Sequence, residues 1–301
     1  MSNDFETLNK MLDGRYSCRA FQDKAVSIED IRSIIQAAQK VPSWCNFQPW
    51  QVHLVTGDGR DALSEKTMAA AIADEGGADV PFPEKATGKY AERRRTCGLQ
   101  LYQAVGVERG DRAGSRAQML ENYRFFGAPQ AVVITTPREL GAYGILDCGA
   151  FVTAFMIAAE ANGIATIAQA SIAEMSDIVR DTLDIPEDRN VLCAISFGYA
   201  DTVHPANQFR TERAPLDEVL FVRVLKRKRH HHLGFDDPRA GHFVDQKLCA
   251  LLKNGEGAIM TGDDCREVKE FVGRIGRTSH VHGEMPPAGQ NADFGFVQII
   301  K

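Results

Sequence analysis

Arg15, Ser17 and Arg19 stand at alternate positions in the run Arg15-Tyr16-Ser17-Cys18-Arg19-Ala20-Phe21. In an extended chain alternate side chains share one face, so two guanidinium forks and one hydroxyl converge there. Such a face suits a phosphate, which arginine meets with paired, charge-assisted hydrogen bonds. A solvated arginine face is the commoner use of alternate arginines, so these three residues need company before they mean a site.

Pro42-Ser43-Trp44-Cys45-Asn46-Phe47-Gln48-Pro49-Trp50 supplies that company. Two prolines stiffen the segment, and Asn46 and Gln48 carry amides that both donate and accept hydrogen bonds. A flavin ring asks for such partners along its pyrimidine edge and for apolar contact at its benzenoid end, which Trp44 or Phe47 could give. The structural alternative is a plain turn with Trp44 and Trp50 in the core.

Gly57-Asp58-Gly59-Arg60-Asp61-Ala62 points elsewhere. It follows a strand-like run, opens a helix-like one and fits the dinucleotide pattern G-x-G-x-x-G/A, with Asp79 about 20 residues on. Gly76-Gly77 and Pro81-Phe82-Pro83, however, cannot make the strand that would present that acid. Arg60 and Asp61 also put charges where a pyrophosphate must come close. A strand-turn-helix corner is the better reading.

These residues must be positioned by a framework that periodicity outlines. Helices are expected over 5–12, 28–38 (with Ser27 as N-cap), 60–73, 85–107, 113–126, 147–161 and 173–183. Strands are expected over 50–56, 130–136, 191–199 and 219–225, and 74–83 reads as a Gly- and Pro-rich loop. Without a regular βαβ alternation the fold class is α+β. The helix over 147–161 is apolar nearly all round, which places it in the middle of a core. In the stretch 85–126, Tyr90, Tyr102, Tyr123, Phe125 and Phe126 could stack on an aromatic substrate and Arg112 or Arg124 could pair with a carboxylate, but helix packing is the favoured reading.

The chain has 301 residues, 44% hydrophobic and 25% charged, proportions of an ordinary globular protein that exclude disorder and fibrous repeats. A net charge of −5 argues against a nucleic-acid binder. The seven cysteines are scattered, with no C-x-x-C pair, so neither a disulfide scaffold nor a zinc site is expected. With a polar, acidic start and no apolar signal, the expectation is cytoplasmic, with no membrane partner. Charge is uneven: −7 over 1–225 and +2 over 226–301, which together make the −5. After Leu225, Lys226-Arg227-Lys228-Arg229 and His230-His231-His232 read as a basic, histidine-rich linker into a C-terminal extension of unknown role. His280 and His282 with His242, Asp263 or Cys265 have no recognised metal-ligand spacing, so no metal site is expected.

From residue 10 to about 225 the chain resembles the nitroreductase family of FMN-dependent flavoproteins, nearest its nitroaromatic (nitrobenzoate-type) reductases. The matching motifs, in order, are Arg15 to Phe21, Pro42 to Trp50, Leu146-Asp147-Cys148-Gly149, Gln169-Ala170-Ser171, Phe197-Gly198-Tyr199-Ala200-Asp201 and Arg210-Thr211-Glu212-Arg213. The resemblance implies a central mixed or antiparallel sheet flanked by helices, in an intertwined homodimer with two FMN sites at its interface. It further implies that Arg15, Ser17 and Arg213 hold the phosphate with Arg210 nearby, and that Arg19 reaches the ribityl chain and the N1/O2 edge of the ring. Pro42, Ser43 and Trp44 would approach the ring from the partner, Asn46 and Gln48 would hydrogen-bond the cofactor, and Gln169, Ala170 and Ser171 would pass flavin N5. Gln169 stands where several relatives carry glutamate.

The implied activity is reduction of nitroaromatic or quinone-like compounds by NADH or NADPH, in ping-pong hydride transfer through flavin N5, with no side-chain catalyst. The same site could serve reductive dehalogenation, ene reduction or flavin breakdown. A non-enzymatic alternative is a dimeric binding module with a basic tail.

Overall fold

Every residue from Gln130 to Thr136 is buried, so this strand must be covered on both faces. In the computed structural model, which describes residues 2–223, that strand, β2 (Gln130–Pro137), lies between β1 (Gln51–Thr56) and β4 (Arg189–Gly198), with β3 (Ala165–Gln169) at the edge beyond β4. All three pairings are antiparallel, and the order is β1-β2-β4-β3. The basic linker and histidine cluster of 226–301 lie outside the described residues.

Alternation along β2 and β4 divides the core into two layers. Ala131, Val133, Val191 and Ala194 pack with Leu63, Ala70 and Val179 of α3 (Gly57–Ala73) and α7 (Ser176–Leu183). Val132, Ile134, Ile195 and Phe197 face the other way, onto Ile31 and Ile34 of α2 (Ile28–Ala38) and Phe151 and Phe155 of α6 (Gly141–Ala161). The remaining helices are α1 (Asn3–Gly14), α4 (Gly88–Ala104) and α5 (Arg112–Leu120). Ser27 caps α2 as expected, its Oγ accepting from the Asp30 N–H at 3.1 Å.

Two strand expectations need correction. β3 was not expected, because Ala165-Thr166-Ile167-Ala168-Gln169 has only two strong strand formers; pairing with β4, not propensity, specifies it. Residues 219–223 form no strand and follow a 3₁₀ turn over Leu216–Glu218; 224–225 lie outside the described residues. The expected helix over 113–126 stops at Leu120 and gives way to a 3₁₀ segment, in which Phe125 and Phe126 adopt left-handed backbone (φ 55° and 53°) as they enter the core.

The helix α6 is also less enclosed than expected. It buries one stripe of Gly144, Asp147, Cys148, Phe151, Phe155 and Ala159, while Tyr143 and Leu146 are exposed. Each fully buried phenylalanine contributes about 1.5–3 kcal/mol, so that stripe suffices to dock the helix. Its length and apolarity match a membrane span, but the stripe packed on the sheet identifies it as a core helix.

The dinucleotide pattern is a corner. Gly57 turns β1 into α3 with φ +54°, a conformation that favours glycine, and the next strand, β2, pairs antiparallel with β1. Asp79 has another task. Its carboxylate accepts from Arg180 Nη2 at 2.7 and 2.8 Å, from Arg138 Nη2 at 2.7 Å and from the Val191 N–H at 2.8 Å. That network ties the 74–83 loop to α7 and β4.

Candidate functional site

Gly14 ends α1, and the chain continues extended alongside the sheet. The Cys18 N–H donates to the Thr166 carbonyl at 3.0 Å, Ser17 bridges Thr166, and Phe21 bridges Ala200. This pairing turns Cys18 into the core and leaves Arg15, Ser17 and Arg19 on the opposite side, as the alternation predicts. Arg210 and Arg213 return to the same place from beyond β4. All five line one cavity of about 450 Å³, with Tyr16, Cys97, Phe209 and Thr211 among its other walls.

No carboxylate pairs with Arg15, Arg19, Arg210 or Arg213 among the described residues. Three of the four are steered by carbonyls and rings instead. Arg19 Nη1 donates to the Ser17 carbonyl at 3.1 Å, and its guanidinium lies 5.6 Å from the Phe209 ring centre. Arg210 Nη1 donates to the carbonyls of Asn207 and Phe209, both at 2.9 Å, with the guanidinium 3.7 Å over the Tyr16 ring. Arg213 Nη1 bonds the Thr211 carbonyl and Oγ1. Arg15 has no side-chain partner among the described residues. Burial pushes the Arg19 pKa down, but a guanidinium stays charged in a protein.

Four uncompensated cations around one cavity repel one another, a cost that an anion relieves. A donor set of guanidiniums and hydroxyls in which no guanidinium forms an ion pair among the described residues fits a phosphate monoester, and the volume lies within the ~300–1,000 Å³ usual for small-molecule sites. One carboxylate, Asp13, sits in the lining.

The second constellation lies elsewhere on the chain. None of Pro42, Ser43, Trp44, Asn46 or Gln48 lines the arginine cavity. A 3₁₀ turn over Trp44–Asn46 puts left-handed backbone at Cys45, Asn46 and Gln48 (φ 48°, 58° and 49°). Each such residue costs on the order of 1 kcal/mol or more, so the surroundings must hold the loop. Asp147 of α6 does so by accepting the Trp44 N–H at 3.0 and 3.2 Å, and Ser43 Oγ by accepting the Gln48 N–H at 2.9 Å. Trp50 is buried, stacked on Phe151 with ring centres 5.2 Å apart. Trp44 is half exposed against Phe47 and Tyr143.

The nitroreductase family model matches residues 12–199, which is most of the described residues and spans the Pro42–Trp50 loop and the first arm of the arginine cavity. The chain belongs to the nitroreductase family. It is 35% identical to the nitroreductase NfnB of Mycolicibacterium smegmatis, over 71% of this chain and 92% of the relative. A 4-nitrobenzoate reductase of Nocardioides is 32% identical over 70% of this chain and 88% of its own. The solved structure of the FMN-dependent Mycobacterium smegmatis NfnB in complex with NADPH superposes with a TM-score of 0.70 at 34% identity, covering 73% of this chain and 100% of that one. An FMN- and NADPH-dependent NfnB from a Sphingopyxis strain gives the same score at 31% identity, covering 72% and 99%.

In this nitroreductase fold the Gln169-Ala170-Ser171 segment leaves the end of β3. Gln169 is buried and engaged, accepting from Ser196 Oγ in a short hydrogen bond and donating to the Asn122 carbonyl at 2.7 Å. Ala170 is exposed, and Ser171 Oγ is a buried hydroxyl without a hydrogen-bond partner among the described residues. None of the three lines the arginine cavity.

The aromatic stretch divides. Tyr123, Phe125 and Phe126 are core residues, and Arg124 faces Glu121 at 3.6 Å, so the packing reading holds for them. Tyr90 is exposed. Residues that the motifs did not flag also shape the site. Tyr16 and Phe209 carry the cation–π contacts, and their position beside arginines was the available signal. Asp147 lay within a motif, but its hold on Trp44 needs a contact 103 residues away.

Proposed function

We propose that this nitroreductase-family chain binds FMN and uses NADPH or NADH to reduce nitroaromatic or quinone-like acceptors. The cavity ringed by Arg15, Arg19, Arg210 and Arg213, without a carboxylate partner among the described residues, carries this reading. FMN supplies the redox chemistry when bound, passing reducing equivalents from the nicotinamide to the acceptor. The side chains bind and orient. Arg15, Ser17, Arg210 and Arg213 would hold the phosphate, and Arg19 would stabilise negative charge near the ribityl end of the ring. The orphan Ser171 hydroxyl and the amides of Asn46 and Gln48 offer hydrogen bonds to the ring, with Gln169 and Ala170 shaping its approach.

Pro42, Ser43 and Trp44 would serve the site of a second copy. Trp44, Phe47 and Tyr143 expose a joined aromatic patch, and Leu146, three residues on from Tyr143 in α6, is exposed as well, which supports a homodimer formed over this side of α6. Leu146→Glu is expected to weaken self-association roughly a hundredfold by burying an unpaired carboxylate, and to release flavin with it. Sedimentation velocity with absorbance at the flavin band measures both, and an unchanged dimer would place the interface elsewhere. No disulfide joins the described cysteines. Burial pushes the thiols of Cys148 and Cys193 up to about 11 and about 12, which keeps both protonated and unreactive at neutral pH. We assign this function to residues 1–225, with 226–301 an extension of unknown role.

Purified full-length protein should be yellow, bleach anaerobically with NADPH or NADH, and recover its colour with a nitrobenzoate. Colourless protein that refuses FMN sinks the flavin reading. Reduced protein reoxidised by quinones or halophenols but by no nitro compound moves the activity to another acceptor class.

A further inference from the structure

Asn207 does not line the arginine cavity, yet it is almost completely buried and bonded on every side. Its Oδ1 accepts from the Arg19 N–H at 2.7 Å. Its Nδ2 donates to the Ala20 carbonyl at 2.9 Å and to the Asp201 carbonyl at 2.8 Å. Its backbone carbonyl accepts from Arg210 Nη1 at 2.9 Å, and its N–H donates to the His204 carbonyl at 3.0 Å. One residue therefore reaches both arms of the cavity: the extended segment with Arg15, Ser17 and Arg19, and the later segment with Arg210 and Arg213. Those arms lie 188 residues apart in the chain, and each carries like charge that pushes the other away.

We infer that Asn207 is a positioning residue that sets the spacing of the phosphate-holding arginines. An amide suits the place, because one side chain must accept from an N–H and donate to two carbonyls. Aspartate offers the acceptor but turns oxygen toward Ala20 and Asp201 where donors are needed. Alanine loses both sides and leaves the Arg19 N–H unsatisfied. The inference rests on the FMN reading above. It separates from that reading because Asn207 joins the two arms where Arg210 stands and meets Arg19 through its backbone N–H, not its guanidinium, so the phosphate should feel its loss most.

The test titrates flavin-free, full-length wild type, Asn207→Ala and Asn207→Asp with FMN and with riboflavin, which lacks the phosphate, following flavin fluorescence. Asn207→Ala is expected to raise the FMN Kd roughly tenfold to a hundredfold, the equivalent of one or two lost hydrogen bonds to charged groups. Its riboflavin Kd, which reports only the ribityl and ring end where Arg19 stands, should move several-fold less, so the preference for FMN collapses. Asn207→Asp should lose the preference as well, and it decides the matter if the alanine variant does not fold. Equal losses for both flavins, an unchanged preference in a folded variant, or failure of both variants to fold would overturn the inference, since the residue would then hold the fold or nothing. Wild type that binds riboflavin as well as FMN overturns the phosphate reading itself and this inference with it.

Discussion

Arg15→Ala is expected to weaken FMN binding about a hundredfold while leaving the flavin-free protein as stable as before, or slightly more so. The affinity loss follows from removing charge-assisted hydrogen bonds to a phosphate, worth about 1.5–3 kcal/mol each where the anion is enclosed. The unchanged stability follows from the absence of any side-chain partner for Arg15 among the described residues. With no internal bond to lose, the substitution removes one of four like charges around the cavity. FMN titration and thermal unfolding of flavin-free protein read the two effects separately. A large loss of stability would mean that Arg15 supports the fold, and full FMN affinity would remove it from the phosphate site. Arg19→Ala should not separate the effects so cleanly, because Arg19 is tied to Ser17 and Phe209.

The largest effect on stability is expected from Asp79→Ala, at about 3–5 kcal/mol in urea unfolding at neutral pH. Arg180 and Asp79 are both almost fully buried, and the carboxylate is the hydrogen-bonding partner of Arg180 Nη2. Glu187 comes within 3.4 Å of Arg180 Nε without the geometry of a hydrogen bond and is itself exposed, so it cannot compensate. Removing Asp79 leaves a buried guanidinium unpaired and a β4 N–H, that of Val191, without its acceptor. Replacing Asp79 and Arg180 together by leucine should recover part of the loss, since the double change removes the orphaned charge. A loss under 1 kcal/mol for Asp79→Ala would show that water reaches Arg180.

The same pair gives stability an acid limb. Burial alone would raise the Asp79 carboxyl, but the Val191 N–H with Arg180 and Arg138 outweighs it and holds the group below its ordinary 3.8. With the folded value depressed, its stabilisation is complete above the unfolded value. It fades as pH falls below about 4 toward the folded value. Asp79→Ala should therefore lose more stability relative to wild type at pH 7 than at pH 3, in urea titrations run at both.

Much of the site was legible because its first arm is local. Alternate positions in an extended segment share a face whatever the rest of the chain does, so Arg15, Ser17 and Arg19 could be grouped on type and spacing alone. The same holds for the Ser27 cap, which bonds three residues on, and for the apolar alternation of β2. Short strands with weak propensity were not legible: β3 exists because β4 pairs with it, and no window of five residues contains that fact. Asp79 had the right spacing for a ribose, but spacing is blind to the two arginines that the fold brings against it.

What the sequence determined by itself was the chemistry available and its local presentation: a face of arginines, a stiff amide-bearing loop, a sheet with two apolar sides and helices to cover them. Tertiary structure alone decided the company those groups keep. It returned Arg210 and Arg213 to the first arm through Asn207, kept the Pro42–Trp50 loop away from that cavity, and left one side of α6 open. Periodicity and capping act within a turn or two of chain, whereas the meeting of segments 188 residues apart depends on strand order and register, which arise only when the whole core packs.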